Sequence, residues 1–210
     1  MQKKKVPSMV KDQQLIKKRR EQMIKAAVNL FKQKGFHRTT TREIAKESGF
    51  SIGTLYEYIG SKEDILYLVC DSIYDEVSER LKKRLKNNIH GIEKLISAIS
   101  ALFHVIDDLQ DEVLVMYQES KSLPKEALAY VLQKEMEMTS MIEQVICDCV
   151  EEGHIQLSNK EVEIAAHNIL VQAHMWTFRR WAVQGKYTVD EYINIQSNLI
   201  LKGLLKNSGG

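Results

Sequence analysis

The sequence predicts an all-α protein, and three observations carry that reading. Apolar residues recur at helical spacing along the chain, and no stretch sustains the β-branched alternation of a strand. Only two prolines, Pro7 and Pro124, interrupt 210 residues, so long helices meet few obligatory breaks. Helix-start signals of the form Ser or Thr followed three residues later by an acid recur in the first third.

The first helix is predicted from about Lys17 to Lys34. Ile24, Ala27, Val28 and Phe31 lie at i, i+3, i+4 and i+7 on one face, and Gly35 follows as a stop. Thr40 and Glu43 form a capping box, which starts a short second helix at Thr41 and lets Gly49 end it. Ser51 caps a third helix over roughly 52–58, with Phe50 and Leu55 spaced as a hydrophobic staple. Ser61 with Asp64 opens a fourth, whose apolar positions Ile65, Leu66, Val69, Ile73, Val77 and Leu81 carry it to about Asn88. Further helices are expected over roughly 91–109, 111–121, 124–152, 159–184 and 188–206. Pro124 suits a first helical position, and Gly153 and Gly185 suit stops.

Charge divides the chain. Residues 1–62 carry 15 Lys and Arg against 5 Asp and Glu, whereas residues 63–210 carry 15 against 23. A basic first third joined to an acidic remainder points the first third at a polyanion. Two short helices joined by a tight turn, behind a longer helix and a basic arm, describe a helix-turn-helix that docks on duplex DNA. The predicted organisation is therefore a basic flexible arm (1–16), a DNA-binding domain (17–62) and a larger effector-binding and dimerisation domain (63–210).

The residue types name the contacts. Gly53, near the start of the third helix, lets that helix approach a duplex closely, and Thr54 can donate to a base edge or pack on a thymine methyl. Tyr56 and Tyr58 bracket Glu57 and cannot both face inward, and tyrosine hydroxyls are phosphate donors. Lys62 opposes the helix dipole where it stands, and a phosphate there would reverse that cost. Thr40, Thr41 and Arg42 repeat that logic at the second helix, and Ser51 starts the third.

The stretch from about residue 20 to 68, "AAVNLFKQKGFHRTTTREIAKESGFSIGTLYEYIGSKEDIL" at its centre, resembles the DNA-binding domain of the TetR (tetracycline repressor-like) family of bacterial regulators. The resemblance implies about nine helices, DNA contacts from Tyr56 and Tyr58, and a homodimer through the last two long helices. It implies a repressor released by a small effector. A helix-turn-helix this small reads too few base pairs alone, so a symmetric dimer on a palindromic operator is expected. The basic, polar N-terminus without a secretory apolar region makes the cytoplasm the expected location. Ile52 departs from the pattern, standing where many members place a polar residue that reaches a base. Leu199, Ile200, Gly203 and Leu204 supply a stripe for the dimer contact or for an internal core.

The segment "HNILVQAHMWTFRRWAVQGKYT" is rich in aromatic and basic residues. Its similarity to regulators of fatty-acid and acyl-CoA metabolism implies an acyl-CoA or related apolar anion as effector. His174, Trp176 and Arg179 from this segment, with Phe103, Met116 and Tyr117, are candidates for lining the effector cavity. Trp181 and Phe178 share the segment and suit a core or interface equally.

Other classes are poorly supported. No apolar run approaches the length of a membrane span, and the three cysteines form no metal-binding pair. His167 and His174 fall seven apart with no ligating partner evident, so no metal, no cofactor and no catalytic residues are expected. Two alternatives stand beside the repressor. One is DNA binding controlled by a protein partner; the other is a helical-bundle enzyme or metal sensor carrying a DNA-binding head.

Overall fold

A computed structural model describes residues 6–85 and 89–205, and all regular structure among them is helical. Ten α-helices follow in order: α1 Gln13–Lys34, α2 Thr41–Glu47, α3 Ile52–Tyr56, α4 Lys62–Leu85, α5 Gly91–Asp108, α6 Gln110–Glu119, α7 Lys125–Glu151, α8 Asn159–Phe178, α9 Arg180–Val183 and α10 Val189–Leu204. A 3-10 turn, Ser120–Ser122, links α6 to α7. The expected ends at Asn88 and residue 206 lie outside the described residues.

The start signals read in the sequence operate in the structure. Thr40 and Glu43 exchange their capping hydrogen bonds, Ser51 accepts from Thr54 N, and Asp64 accepts from Gly60 N and Ser61 N. Thr188 and Glu191 form a box ahead of α10, as do Ser158 and Glu161 ahead of α8. Two boundaries among the described residues differ from expectation by more than two residues. Helix α1 begins four residues early because the Asp12 carboxylate accepts from Gln14 N and Leu15 N. The helix expected over 159–184 breaks at Arg179 (φ −108°, ψ 21°), and Gln184 Nε2 supplies a donor, at 3.2 Å, to the Trp176 carbonyl near the break. Gly35 ends α1 at φ +79°, a conformation that strains any side chain, whereas Gly185 has no positive φ.

The chain forms two compact units, residues 1–73 with 111–134 and residues 74–110 with 135–210. In the first, α1 packs on α2 and α2 on α3 around Met23, Ala27, Phe31, Ile44 and Leu55, all buried. The buried stripe of α1 runs through Met23, Ala26 and Ala27 rather than Ile24, which is half-buried. In the second, α5 packs on α8 and α10, burying Leu95, Ile99, Leu102 and Ile106 with Ala166, Ile169, Ala173 and Ile193. Nearly every third or fourth residue of α5 is buried, as an apolar face at helical period requires.

Candidate nucleic-acid interface

The first unit places α2 and α3 so that their N-termini open to solvent. Helix α3 is five residues long and is held by its ends: Ser51 caps the start, and Leu55, fully buried, anchors the underside. Its outer face carries Ile52, Gly53 and Tyr56, all exposed, with Thr54 partly so. A Cβ built on Gly53 would touch only Ser51 Oγ, at 3.7 Å, and the backbone there has no positive φ. Neither strain nor crowding inside the protein requires glycine at this position.

The hydroxyls are arranged in a network. Thr41 Oγ1, on the first turn of α2, shares a hydrogen bond of 3.1 Å with Tyr56 OH at the end of α3. Ser51 Oγ donates to Thr54 Oγ1 at 2.9 Å while accepting from Thr54 N at 3.0 Å, so Thr54 is left with its own O–H to donate outward. Thr40 is committed to its cap: its N–H and Oγ1 donate to Glu43 Oε2 at 2.9 and 2.8 Å. Lys34 pairs with the other oxygen of Glu43, and these bonds, the one from Lys34 foremost, hold the carboxyl down at about 2. Arg42 is exposed on the outer side of α2.

Two expected phosphate donors turn out differently. Tyr58 is 5 % exposed while Tyr56 is 43 % exposed, so Tyr58 is the structural member of the pair and Tyr56 the available one. Lys62 spends its ammonium inside the unit, donating to Phe36 O at 2.7 Å and Thr39 O at 2.8 Å, over the Phe36 ring. It closes the turn between α1 and α2, where Phe36 O also accepts from Thr39 N at 3.2 Å.

Reasoning along the sequence missed Arg20. Its guanidinium donates to Tyr58 O at 3.0 Å, Val6 O at 2.9 Å and Pro7 O at 3.1 Å. Burial lowers its pKa, and the nearby Asp64 opposes that shift. Met9 N adds a bond to Glu57 O at 2.8 Å, Ser8 Oγ a second to the same carbonyl at 2.9 Å, and Val6 is buried. The arm expected to be flexible over 1–16 is therefore strapped down from residue 6, and residues 1–5 lie outside the described residues. No local pattern marks Arg20, because its partners are 13 to 38 residues away.

The effector candidates fall in both units. In the first, Met116 is buried and Tyr117 is 62 % exposed, which is not the enclosed place expected of it. In the second, Trp176 and Phe103 both stack on Tyr192, with ring centroids 4.9 and 5.8 Å away, and Trp176 Nε1 donates to Asp107 Oδ1 at 2.6 Å. Tyr192 and Asp107 were not anticipated, and the "EY" after Thr188 was the signal for the first. His174 is buried beside Phe178. Burial lowers its pKa, with Glu135 opposing, so its surroundings disfavour the charged imidazolium. Arg179 is at the surface, stacked 4.9 Å from the ring centroid of the exposed Trp181.

One groove of about 570 Å³ runs between α8 and α10 within the second unit. Ile164, Ala165 and Ile169 of α8 line it with Leu199, Ile200 and Leu204 of α10. Ile164 and Leu199 are each 58 % exposed, and Val171 and Ile195 extend the uncovered apolar surface along the same helices.

The pattern of α1 to α4 and the pattern of the remaining helices each match a known family model. Residues 23–67 match the model of bacterial regulatory proteins of the tetR family. Residues 88–204 match the tetracyclin repressor-like C-terminal domain. The chain belongs to the TetR family of helix-turn-helix transcriptional regulators. It is similar to the HTH-type transcriptional regulator HbdR of Aromatoleum sp. (strain CIB), 30% identical over 204 residues that cover 97% of this chain and 88% of that protein. A TetR-family regulatory protein from Rhodococcus RHA1 shares the fold at a TM-score of 0.80 and 23% identity, over 89% of this chain and 97% of the other. AibR, solved in complex with isovaleryl coenzyme A and operator DNA, does so at 0.73 and 18%, over 86% and 97%. No helix of this TetR-family chain is long and apolar enough, among the described residues, to cross a membrane, and none of those residues group as metal ligands.

Proposed function

We propose that this regulator is a repressor that binds a palindromic operator as a homodimer and is released by a small apolar anion, an acyl-CoA or close relative. The observation that carries the DNA side is the outer face of α3, where Gly53 is open to solvent and no internal constraint accounts for it. Thr41, Arg42, Thr54 and Tyr56 flank that opening with donors suited to phosphates and base edges. Thr40 and Ser51 shape the two helix starts, Tyr58 seats α3 from beneath, and Lys62 fixes the preceding turn.

The uncovered groove of α8 and α10 supports the homodimer, since a contiguous exposed apolar face of this kind is an interface signature. A two-fold dimer reads two half-sites, and the matching operator is a palindrome. The effector class is supported by the shared fold of AibR, solved with isovaleryl coenzyme A, and by the aromatic and basic segment that carries Trp176, Arg179 and Arg180. Residues 17–62 then read DNA behind the basic arm of 1–16, and residues 63–210 sense and pair. Effector binding changes the separation of the two DNA-reading heads so that they no longer match successive major grooves.

Fluorescence anisotropy tests this directly. Purified protein should prefer duplex from its own promoter over random duplex of equal length, and an acyl-CoA series should release the promoter complex. Equal affinity for both duplexes would sink the operator reading. Promoter binding that no acyl-CoA relieves would sink the effector class alone.

A further inference from the structure

Helix α3 turns an apolar strip outward. Ile52, its first residue, and Tyr56, one turn later on the same face, are 37 % and 43 % exposed, while Leu55 on the underside is fully buried. Single exposed apolar residues are common on protein surfaces and ask for no account by themselves. Ile52 differs in where it stands. Its branched Cβ lowers helix propensity slightly, so the short helix does not gain from it, and its side chain is not part of the buried core. Gly53, next in the chain, adds no side chain that would hold a neighbouring molecule away from it.

The rest of the segment narrows what this face can read. Residues 49–61 contain no Arg, Lys, Asn or Gln, the side chains that pair in bidentate fashion with guanine or adenine edges. The hydroxyls around Ile52 are partly committed, Ser51 Oγ to Thr54 Oγ1 at 2.9 Å and Tyr56 OH to Thr41 Oγ1 at 3.1 Å. Glu57, the one carboxylate of the stretch, follows the last residue of α3, and its carbonyl is tied to Ser8 and Met9. The first turn of α3 thus offers a duplex one alkyl group, with the Thr54 hydroxyl close by in sequence. In the major groove the apolar feature of a base pair is the 5-methyl group of thymine.

We propose that Ile52 reads a thymine in each half-site through its 5-methyl group and is a specificity-determining residue of α3. This rests on the operator reading and deepens it, since it assigns an A·T pair to the step that Ile52 faces. Contact between two alkyl groups reaches only about 4 Å, and the open surface at Gly53 is what lets the duplex come that close.

The test uses the full chain and its own promoter duplex, with the half-sites located by footprinting. Each thymine in them is replaced in turn by deoxyuridine, which lacks only the 5-methyl group. Wild-type protein should lose about fourfold in affinity at one thymine of each half-site, as expected for one methyl left in water. Ile52→Ala should bind the unmodified promoter about fourfold or more weakly and lose nothing further at that thymine, so the two changes are not additive. Its melting temperature should match the wild type, because the side chain lies outside the buried core. If Ile52→Ala lowers stability, Ile52→Val carries the same comparison with a smaller loss.

Wild-type indifference to deoxyuridine at every thymine would overturn the proposal, as would equal sensitivity in wild type and variant at every position. Either result leaves promoter preference intact. Absence of preference for promoter over random duplex would overturn the operator reading, and this proposal with it.

Discussion

Lys62 stands over the ring of Phe36, its Nζ 4.2 Å from the ring centroid, and the same ammonium donates to Phe36 O. With Thr39 O as the second acceptor, one side chain closes the turn that joins α1 to α2. Lys62→Met should therefore lower stability by about 1–3 kcal/mol, because Thr39 O loses the Lys62 donor while Phe36 O keeps only the N–H of Thr39. Denaturant midpoints would measure it. Full stability with DNA affinity lost would return Lys62 to the phosphate role.

Gly53→Ala separates fold from function at the opening of α3. The free protein has room for the methyl, and alanine is the better helix former, so the melting temperature should hold or rise slightly. Operator affinity should fall about tenfold or more, because the methyl intrudes on the approach to the groove. Unaltered operator affinity would mean that the duplex does not come close at Gly53.

The pH dependence of the DNA-reading unit follows from Glu43. Its hydrogen bonds with Lys34 and Thr40 depress its pKa to about 2 from an ordinary 4.5. A depressed carboxyl stabilises the folded state fully above its unfolded value, and the contribution disappears as pH falls from about 4.5 to about 2. Glu161 and Glu191, depressed by hydrogen bonds from Ser158 and Thr188, add with the same sign. Glu43→Gln should lessen the drop in stability over that acid range, and acid titration followed by circular dichroism would show whether it does.

Leu199→Glu places a charge in the groove between α8 and α10. If that groove pairs two copies, the variant should sediment as a monomer at concentrations where the wild type is a dimer, and lose operator affinity with it. A variant that still sediments as a dimer would move the interface elsewhere.

Cys149 should resist alkylation in the native state. Burial, with Glu152 and Asp148 nearby, raises its thiol to about 11, and its Sγ is 3.2 Å from Gly91 O. Cys147 is less buried and should label first, as mass spectrometry of partly alkylated protein would show.

What could be read from the sequence was what is local. The boxes of Thr40 with Glu43 and Ser61 with Asp64 act within three residues, so their spacing alone reveals them. The same holds for the Ser51 cap and for the buried period of α5. Long-range choices were not legible: which of Tyr56 and Tyr58 turns inward depends on the elements packed against α3. That Lys62 meets carbonyls rather than phosphate depends on a turn 23 to 26 residues earlier. The break at Arg179 follows neither a proline nor a glycine, and Gln184, the residue that meets the Trp176 carbonyl, is eight positions on. Arg20 looked like one more charge in a basic run.

The five residues of α3 make barely more than one turn, too few to hold a helix in water by themselves. Their shape is imposed from outside, by the burial of Leu55, the Ser51 hydroxyl and the strand of chain fastened across Glu57. A synthetic peptide copying residues 49–63 would thus carry Gly53, Thr54 and Tyr56, without Thr41 and Arg42, and hold none of them in place. The shape of α3 is a property of the scaffold, lent to a segment too short to keep one of its own.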